Sequence, residues 1–269
     1  MGRWEVSAVD TGIKVSAFLK KNVEGLSGRQ IKDAIERGCC LVNGRAERFA
    51  NAVLGNGDWV EFDYEPPSKS LPVEVLYSDD RVIICNKPAG LESEKVYPSA
   101  QLVHRLDKET SGVLIHAKNR SSYETLARLF KERKISKTYL AIVDGVPTVL
   151  SGTIENYLGK LKEYSGQAIW GSVLPEKGLY AKTEWQLQKK GKDAALVLCR
   201  PETGRTHQIR VHLSGIGHPI LGDNQYGRQF RCNYRPQRCL LHASEIAYEN
   251  VHVKAPLPED FQEALCKIF

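Results

Sequence analysis

Residues 102–118 read LVHRLDKETSGVLIHAK: an apolar run, an abrupt set of charges, Thr-Ser-Gly, then a second apolar run. Two strand-like runs about a break belong in a sheet. A turn needs only Gly, Asn or Pro, so Arg105, Asp107 and Lys108 ask for a further explanation. If residues 102–107 are extended, Leu102, His104 and Leu106 share one face, and Val103, Arg105 and Asp107 the other. Arg105 and Asp107 then project side by side, about 7 Å apart at the backbone. As a surface ion pair they would contribute little.

The pattern around this segment predicts more strand than helix. VEVLYSDDRVIICNKP reads as two strands about a polar turn at Asp79 and Asp80. Residues 121–133 carry Tyr123, Leu126, Leu129 and Phe130 at helical spacing. SKTYLAIVDG returns to strand, TEWQLQKKGKDAALVLCRPETGR forms a long hairpin, and THQIRVHLSGIG a short helix. CLLHASEIAYENVHVKAP adds strand before a last helix near EDFQEALCKIF. Hairpins dominate, which predicts an α+β body with a largely antiparallel mixed sheet.

YEPPSKSLP, residues 64–72, concentrates Pro and Ser and reads as a linker. It divides a module at 1–63 from a body at 73–269. In the module, Val15, Phe18 and Leu19 predict a helix over 14–21. A second helix begins at Ser27, whose S-x-x-Q pairing with Gln30 is a capping box, and ends by Gly38. CLVNGRAE then predicts a strand into an Asn-Gly turn, and GDWVEF another strand, so the module is a small α/β unit. Arg29, Lys32 and Glu36 share the second helix's exposed side, with Arg37 beside them. Residues 14–48 hold eight basic and four acidic side chains. A solvated helix face or an RNA contact would both account for that excess.

The net charge of +6 is compatible with a polyanionic partner. The start, MGRWEVSAVD, lacks a signal peptide's apolar core, and no apolar run is long enough to span a bilayer. Seven cysteines at irregular spacing, without a CxxC pair, argue against a disulfide framework or a structural zinc site. They fit reduced thiols in a cytoplasmic protein. No unpaired apolar stripe demands a partner subunit, so a monomer is expected.

Several blocks occur in a telling order: NKPAGL, VHRLDKETSGVLIHAKN, KTYLAIVDG, GRTHQIRVHLSGIGHPILGDNQYG, RCLLHASEI and APLPEDFQEAL. From about residue 72 onward the chain resembles the RluA-type pseudouridine synthase family. In front of it, GLSGRQIKDAIERGCCLVNGRAERFANAVLGNGDWVEF resembles the small RNA-binding domain named after ribosomal protein S-four. The second resemblance implies that Arg29, Lys32 and Arg37 meet the backbone of structured RNA.

The family resemblance implies that Asp107, the D of H-R-L-D, is the catalytic aspartate. Tyr139, in the K-x-Y block, is implied to stack on the base. Arg205, in G-R-T-H, would pair with Asp107 and keep it ionised. Arg105 is implied to enter the RNA as the target nucleotide leaves, and His104 either contacts RNA or shapes the loop. Uridine becomes pseudouridine when its C–N bond breaks, the uracil turns, and a C–C bond forms at carbon-5. No atom is gained or lost, so neither metal nor cofactor is expected. Asp107 would act as nucleophile at the sugar or as the base that starts elimination through a glycal. An RNA glycosylase using the same aspartate, and a catalytically silent RNA-binding protein, are the competing readings. A zinc deaminase lacks its P-C-x-x-C signature. The expected substrate is large-subunit ribosomal RNA, ahead of transfer RNA. Only twelve residues, ESEKVYPSAQLV, separate NKPAGL from HRLD, where the family commonly carries a longer segment.

Overall fold

The local signals at the N-terminus close as hydrogen bonds in the computed structural model, which describes residues 2–64, 73–164, 167–227 and 229–269. The chain divides into two units, 1–71 and 72–269. In the first, β1 (Gly2–Glu5) precedes α1 (Val15–Asn22) and α2 (Gly28–Glu36), followed by β2 (Cys40–Val42), β3 (Arg45–Glu47) and β4 (Trp59–Phe62). The Ser27 hydroxyl accepts from the Gln30 N–H, and the Gln30 carboxamide accepts from the Ser27 N–H at 2.8 Å. That reciprocal pair satisfies two N–H groups the helix start would otherwise leave open. Asn43 and Gly44 both take positive φ, 52° and 75°, as a two-residue hairpin turn demands. The sheet order is β1-β4-β2-β3, and Val15, Phe18, Leu19, Ile31, Ala34 and Ile35 pack inside it. Strand β1 carries no alternation that predicts it; it is held by pairing along β4. Of the predicted linker, Tyr64 packs against this unit's core, and 65–72 lie outside the described residues.

The second unit runs β5 (Glu74–Ser78), β6 (Val82–Lys87), β7 (Gln101–Leu102), β8 (Ser111–Ala117), α3 (Arg120–Lys131) and β9 (Ser136–Asp144). It continues with β10 (Ser151–Tyr164), β11 (Gln167–Val173), β12 (Leu179–Lys190), β13 (Ala194–Pro201), α4 (Gln208–Gly215), β14 (Leu241–Tyr248), β15 (Val251–Lys254) and α5 (Glu259–Ile268). The main path of the sheet is β11-β10-β12-β13-β9-β14-β8-β6-β5, with β15 on β14 and β7 on β8. Every pairing is antiparallel except β14 with β8. The α+β architecture with a mixed, mostly antiparallel sheet is therefore as the hairpin-rich pattern predicts.

Residues 82–85 of β6 and 113–115 of β8 are apolar runs because both faces of the sheet are covered there. Val82, Ile84, Val113 and Ile115 face Leu126 and Leu129 of α3. Ile83, Cys85 and Leu114 belong to the opposite core, which includes Ile209 and Leu213 of α4 and Phe261 of α5. Gly112 sits where β8 crosses β14, at φ 110°; a Cβ there would overlap the Ala243 carbonyl. Only glycine allows that crossing, which fixes the residues just before it. No helix among the described residues is long and apolar enough to cross a membrane.

Two buried histidines of this unit make its stability depend on pH. His212 lies between the Thr183 hydroxyl and the Asn156 carboxamide, and His242 beside the Ser111 hydroxyl. Burial pushes both down to about 4, from 6.5. The native state thus takes up these protons only near pH 4, whereas the unfolded chain takes them up near pH 6.5. Stability is full above pH 6.5 and falls between there and pH 4, by about 1.4 kcal/mol per pH unit for each histidine. Thermal unfolding at pH 7 and pH 5 measures this; an unchanged Tm would contradict it.

Candidate active site

The charged break is a loop, not the end of a strand. Strand β7 stops at Leu102, and residues 103–110 carry no ladder. The reason is local: the Ser93 hydroxyl accepts from the Leu106 N–H at 3.0 Å and donates to the Leu106 carbonyl at 2.9 Å. One side chain thus satisfies both backbone groups that a neighbouring strand would have used. The expected alternation of Arg105 and Asp107 on one strand face is accordingly not observed. Arg105 pairs with Glu94 at 2.9 Å in solvent, while Asp107 turns to another partner.

Side chains from four directions pin this loop. His104 Nε2 accepts from the Ile115 N–H, and its ring lies against Phe130. Burial pushes that imidazole down to about 3, so it is a neutral brace for the loop. The buried Lys87 ammonium donates to the carbonyls of Pro88, Leu91 and Lys108, joining the NKPAGL turn to the loop. Arg238, also buried, donates to the Glu109 carbonyl and pairs with Asp260 of α5. The two residues after Asp107 therefore have their carbonyls held by two interior side chains.

The guanidinium on Asp107 is that of Arg210, not Arg205. Arg210 Nη1 donates to Asp107 Oδ2 at 3.2 Å. Its Nε and Nη2 donate to the two oxygens of Asp223, at 2.7 and 2.9 Å, and Nη2 also reaches Gln225. Asp223 is 1% exposed, so this fork is an interior ion pair that holds Arg210 in one geometry. Burial opposes the Arg210 charge, but Asp223 outweighs it and pushes the guanidinium's pKa up. Arg205 instead donates its Nε to the Tyr180 carbonyl.

The difference arises at the turn into α4. His207 caps the helix in the left-handed region, φ 55°, which sets the phase of every side chain that follows. Gln208 locks that turn by accepting from the Thr203 hydroxyl and the Arg205 N–H while donating to β12. Ile209 and Leu213 then pack inward as expected, and Arg210 borders them. A buried arginine is tolerated when a carboxylate pairs with it, and the GDNQYG segment supplies one in Asp223.

Tyr139, on β9, is 9% exposed. Burial first, and the Asp107 charge second, push its phenol up, which places the two groups within electrostatic reach. His207 completes the surround: its Nε2 lies 3.9 Å from Asp107 Oδ1. Asp107, itself 26% exposed, thus lies between a fixed cation and a neutral imidazole. Such a site presents one accessible carboxylate to a nucleophilic or proton-transfer task at an aromatic ligand. On the first unit, Arg29 and Lys32 are exposed on α2 and Arg37 is exposed at its C-cap, with Asp33 at 2.9 Å.

The chain is similar to known RNA pseudouridine synthases. A model of the family described as RNA pseudouridylate synthase matches residues 93–215. An RNA pseudouridine synthase of Chlorobaculum parvum is 32% identical over 98% of this chain and 96% of its own. The ribosomal large subunit pseudouridine synthase C of Buchnera aphidicola is 35% identical over 74% of this chain and 71% of its own. Among solved structures, human RNA pseudouridylate synthase domain containing 1 aligns with a TM-score of 0.61 at 28% identity, covering 75% of this chain and 89% of that one.

Proposed function

The chain belongs to the RNA pseudouridylate synthase family, and on that premise we propose that it isomerises uridines of large-subunit ribosomal RNA, with Asp107 as the reacting carboxylate. It is an isomerase acting on RNA. What carries the assignment of Asp107 is its pairing with Arg210, itself locked by Asp223. The guanidinium fixes the direction of the carboxylate. The Asp107 oxygens attack the sugar's C1′ or take its C2′ proton as the C1′–N1 bond breaks. The uracil turns and C5 bonds to C1′, as the Asp107 ester bond breaks or the proton returns to C2′ of the glycal; C5 then loses its proton to solvent and N1 takes one up.

The uridine must leave its stack to reach Asp107, at a cost of a few kcal/mol. Stacking on Tyr139 would return about 1–3 kcal/mol. Arg105 suits the vacated space: it is 75% exposed and, among the described residues, held by a solvent-facing bond to Glu94, which is weak. His104, as a neutral brace, supports the loop.

We assign the first unit, S-four-like in its order of elements, to RNA backbone binding through Arg29, Lys32 and Arg37. Replacing these three by glutamine is expected to weaken binding to ribosomal RNA and to lower the salt slope by up to about three counterions. Filter binding from 50 to 200 mM salt measures it (the range is chosen to resolve the slope). An unchanged slope would remove the unit from the interface. Action on ribosomal RNA would place the protein, as a monomer, in the cytoplasm.

The reaction is tested by treating RNA from cells with and without the protein with carbodiimide, which tags pseudouridine, and mapping reverse-transcription stops. Stops that depend on the protein are expected in large-subunit RNA. Absence of any dependent stop would overturn the proposal, and liberated uracil would point to a glycosylase.

A further inference from the structure

His207 stands in a position that the Asp107–Arg210 pair does not explain. It is a non-glycine residue at φ 55°, a conformation that costs about 1–2 kcal/mol and persists where the surroundings impose it. Its Nε2 is 3.9 Å from Asp107 Oδ1, too far for a hydrogen bond. Its Nδ1 lies 2.7 Å from the Tyr226 hydroxyl, and the two rings meet edge to face at 5.6 Å.

The Tyr226 hydroxyl fixes which nitrogen carries the proton. The Trp170 N–H of β11 donates to that oxygen at 3.1 Å. Among the described residues Nδ1 is the acceptor within reach of the hydroxyl's own proton, so the pair is read with Nδ1 accepting. Burial first, then the Arg210 charge, push the imidazole below its usual value, so the ring is neutral near pH 7. A neutral ring that accepts at Nδ1 carries its proton on Nε2, the nitrogen facing Asp107. That N–H has no partner within hydrogen-bond distance among the described residues, and it lies 3.9 Å from the reacting carboxylate.

We propose that His207 is a further catalytic residue, its Nε2–H donating a hydrogen bond to a carbonyl oxygen of the uracil as the C1′–N1 bond breaks, in a tautomer set by Tyr226. This rests on the reading of Asp107 given above. The electron pair of the broken bond goes to the uracil, whose carbonyl oxygens share the charge. A fixed donor there is stronger at that moment than in the ground state, which is the condition for lowering the barrier. No proton changes hands in this contact. Tyr226 acts as a positioning residue, and its bond to the Trp170 backbone ties the tautomer to strand β11.

The experiment follows tritium released from C5 of uridine in large-subunit ribosomal RNA, using the full chain. His207→Ala is expected to lower kcat by about 10²-fold with KM within a few fold, the size seen for loss of one such donor. His207→Gln, which keeps an N–H at the site, should recover part of the loss. Tyr226→Phe should lower kcat tenfold or more and add nothing to His207→Ala. Nitrogen-15 NMR of the unsubstituted protein should show His207 protonated at Nε2, and Tyr226→Phe should mix the tautomers. A His207→Ala kcat within threefold of the parent, or a proton on Nδ1, overturns the proposal. Asp107→Asn in the same assay separates the two ideas: if it turns over normally, the carboxylate reading fails. If it is inert while His207→Ala is normal, only this inference fails.

Discussion

Asp107→Asn is expected to abolish pseudouridine formation, by about 10⁴-fold or more, while RNA affinity stays within a few fold. The substitution is nearly isosteric, and Arg210 keeps its fork to the buried Asp223. The loop keeps its four braces, since none of them uses the Asp107 side chain. What disappears is the charge, and with it both the nucleophile and the base. Tritium release gives the rate and filter binding the affinity. A variant with a tenth of the parent rate would remove Asp107 from the chemistry.

Arg210→Gln is expected to damage folding and catalysis together. It leaves Asp223, at 1% exposure, without its cation. An uncompensated interior charge of this kind costs about 3–5 kcal/mol. For a unit of this size each kcal/mol lowers Tm by about 2–4 °C, so a fall of roughly 6–20 °C should appear in calorimetry. Asp107 would also lose the group that aims it. Arg205→Gln, by contrast, removes one bond to the Tyr180 carbonyl, worth about 1 kcal/mol, and should change kcat less than tenfold. If Arg205→Gln proved the more harmful to both Tm and kcat, the assignment of Arg210 would be wrong.

These two arginines mark how far residue order can be read. The capping box at Ser27, the Asn43-Gly44 turn and the apolar runs of β6 and β8 are local patterns with one solution each, so they are legible. Asp107 is legible as a charge out of place between strands. Which of two nearby arginines meets it is not, because the answer depends on the left-handed turn at His207. A single residue in that conformation rotates the whole of α4, and nothing in GRTHQIR distinguishes the phases. The extension of β7 through Asp107 fails for a similar reason: Ser93, thirteen positions away from Leu106, replaces the ladder. Hairpin β10–β11 was not anticipated either. Yet Trp170, Gln225 and Tyr226 tie its backbone to the neighbours of Asp107. Such long-range bonds have no periodic trace.

The parallel pairing of β14 against β8 also governs when the protein can first act. Those strands are joined through His242 and Ser111, 131 positions apart, and Arg210 meets Asp107 across 103. Contacts of such separation form late and slowly in a folding chain. During synthesis, at about 5–20 residues per second, the ribosome must therefore deliver β14 before the middle of the sheet can close. Until that strand arrives, a growing chain holds every catalytic side chain and no enzyme.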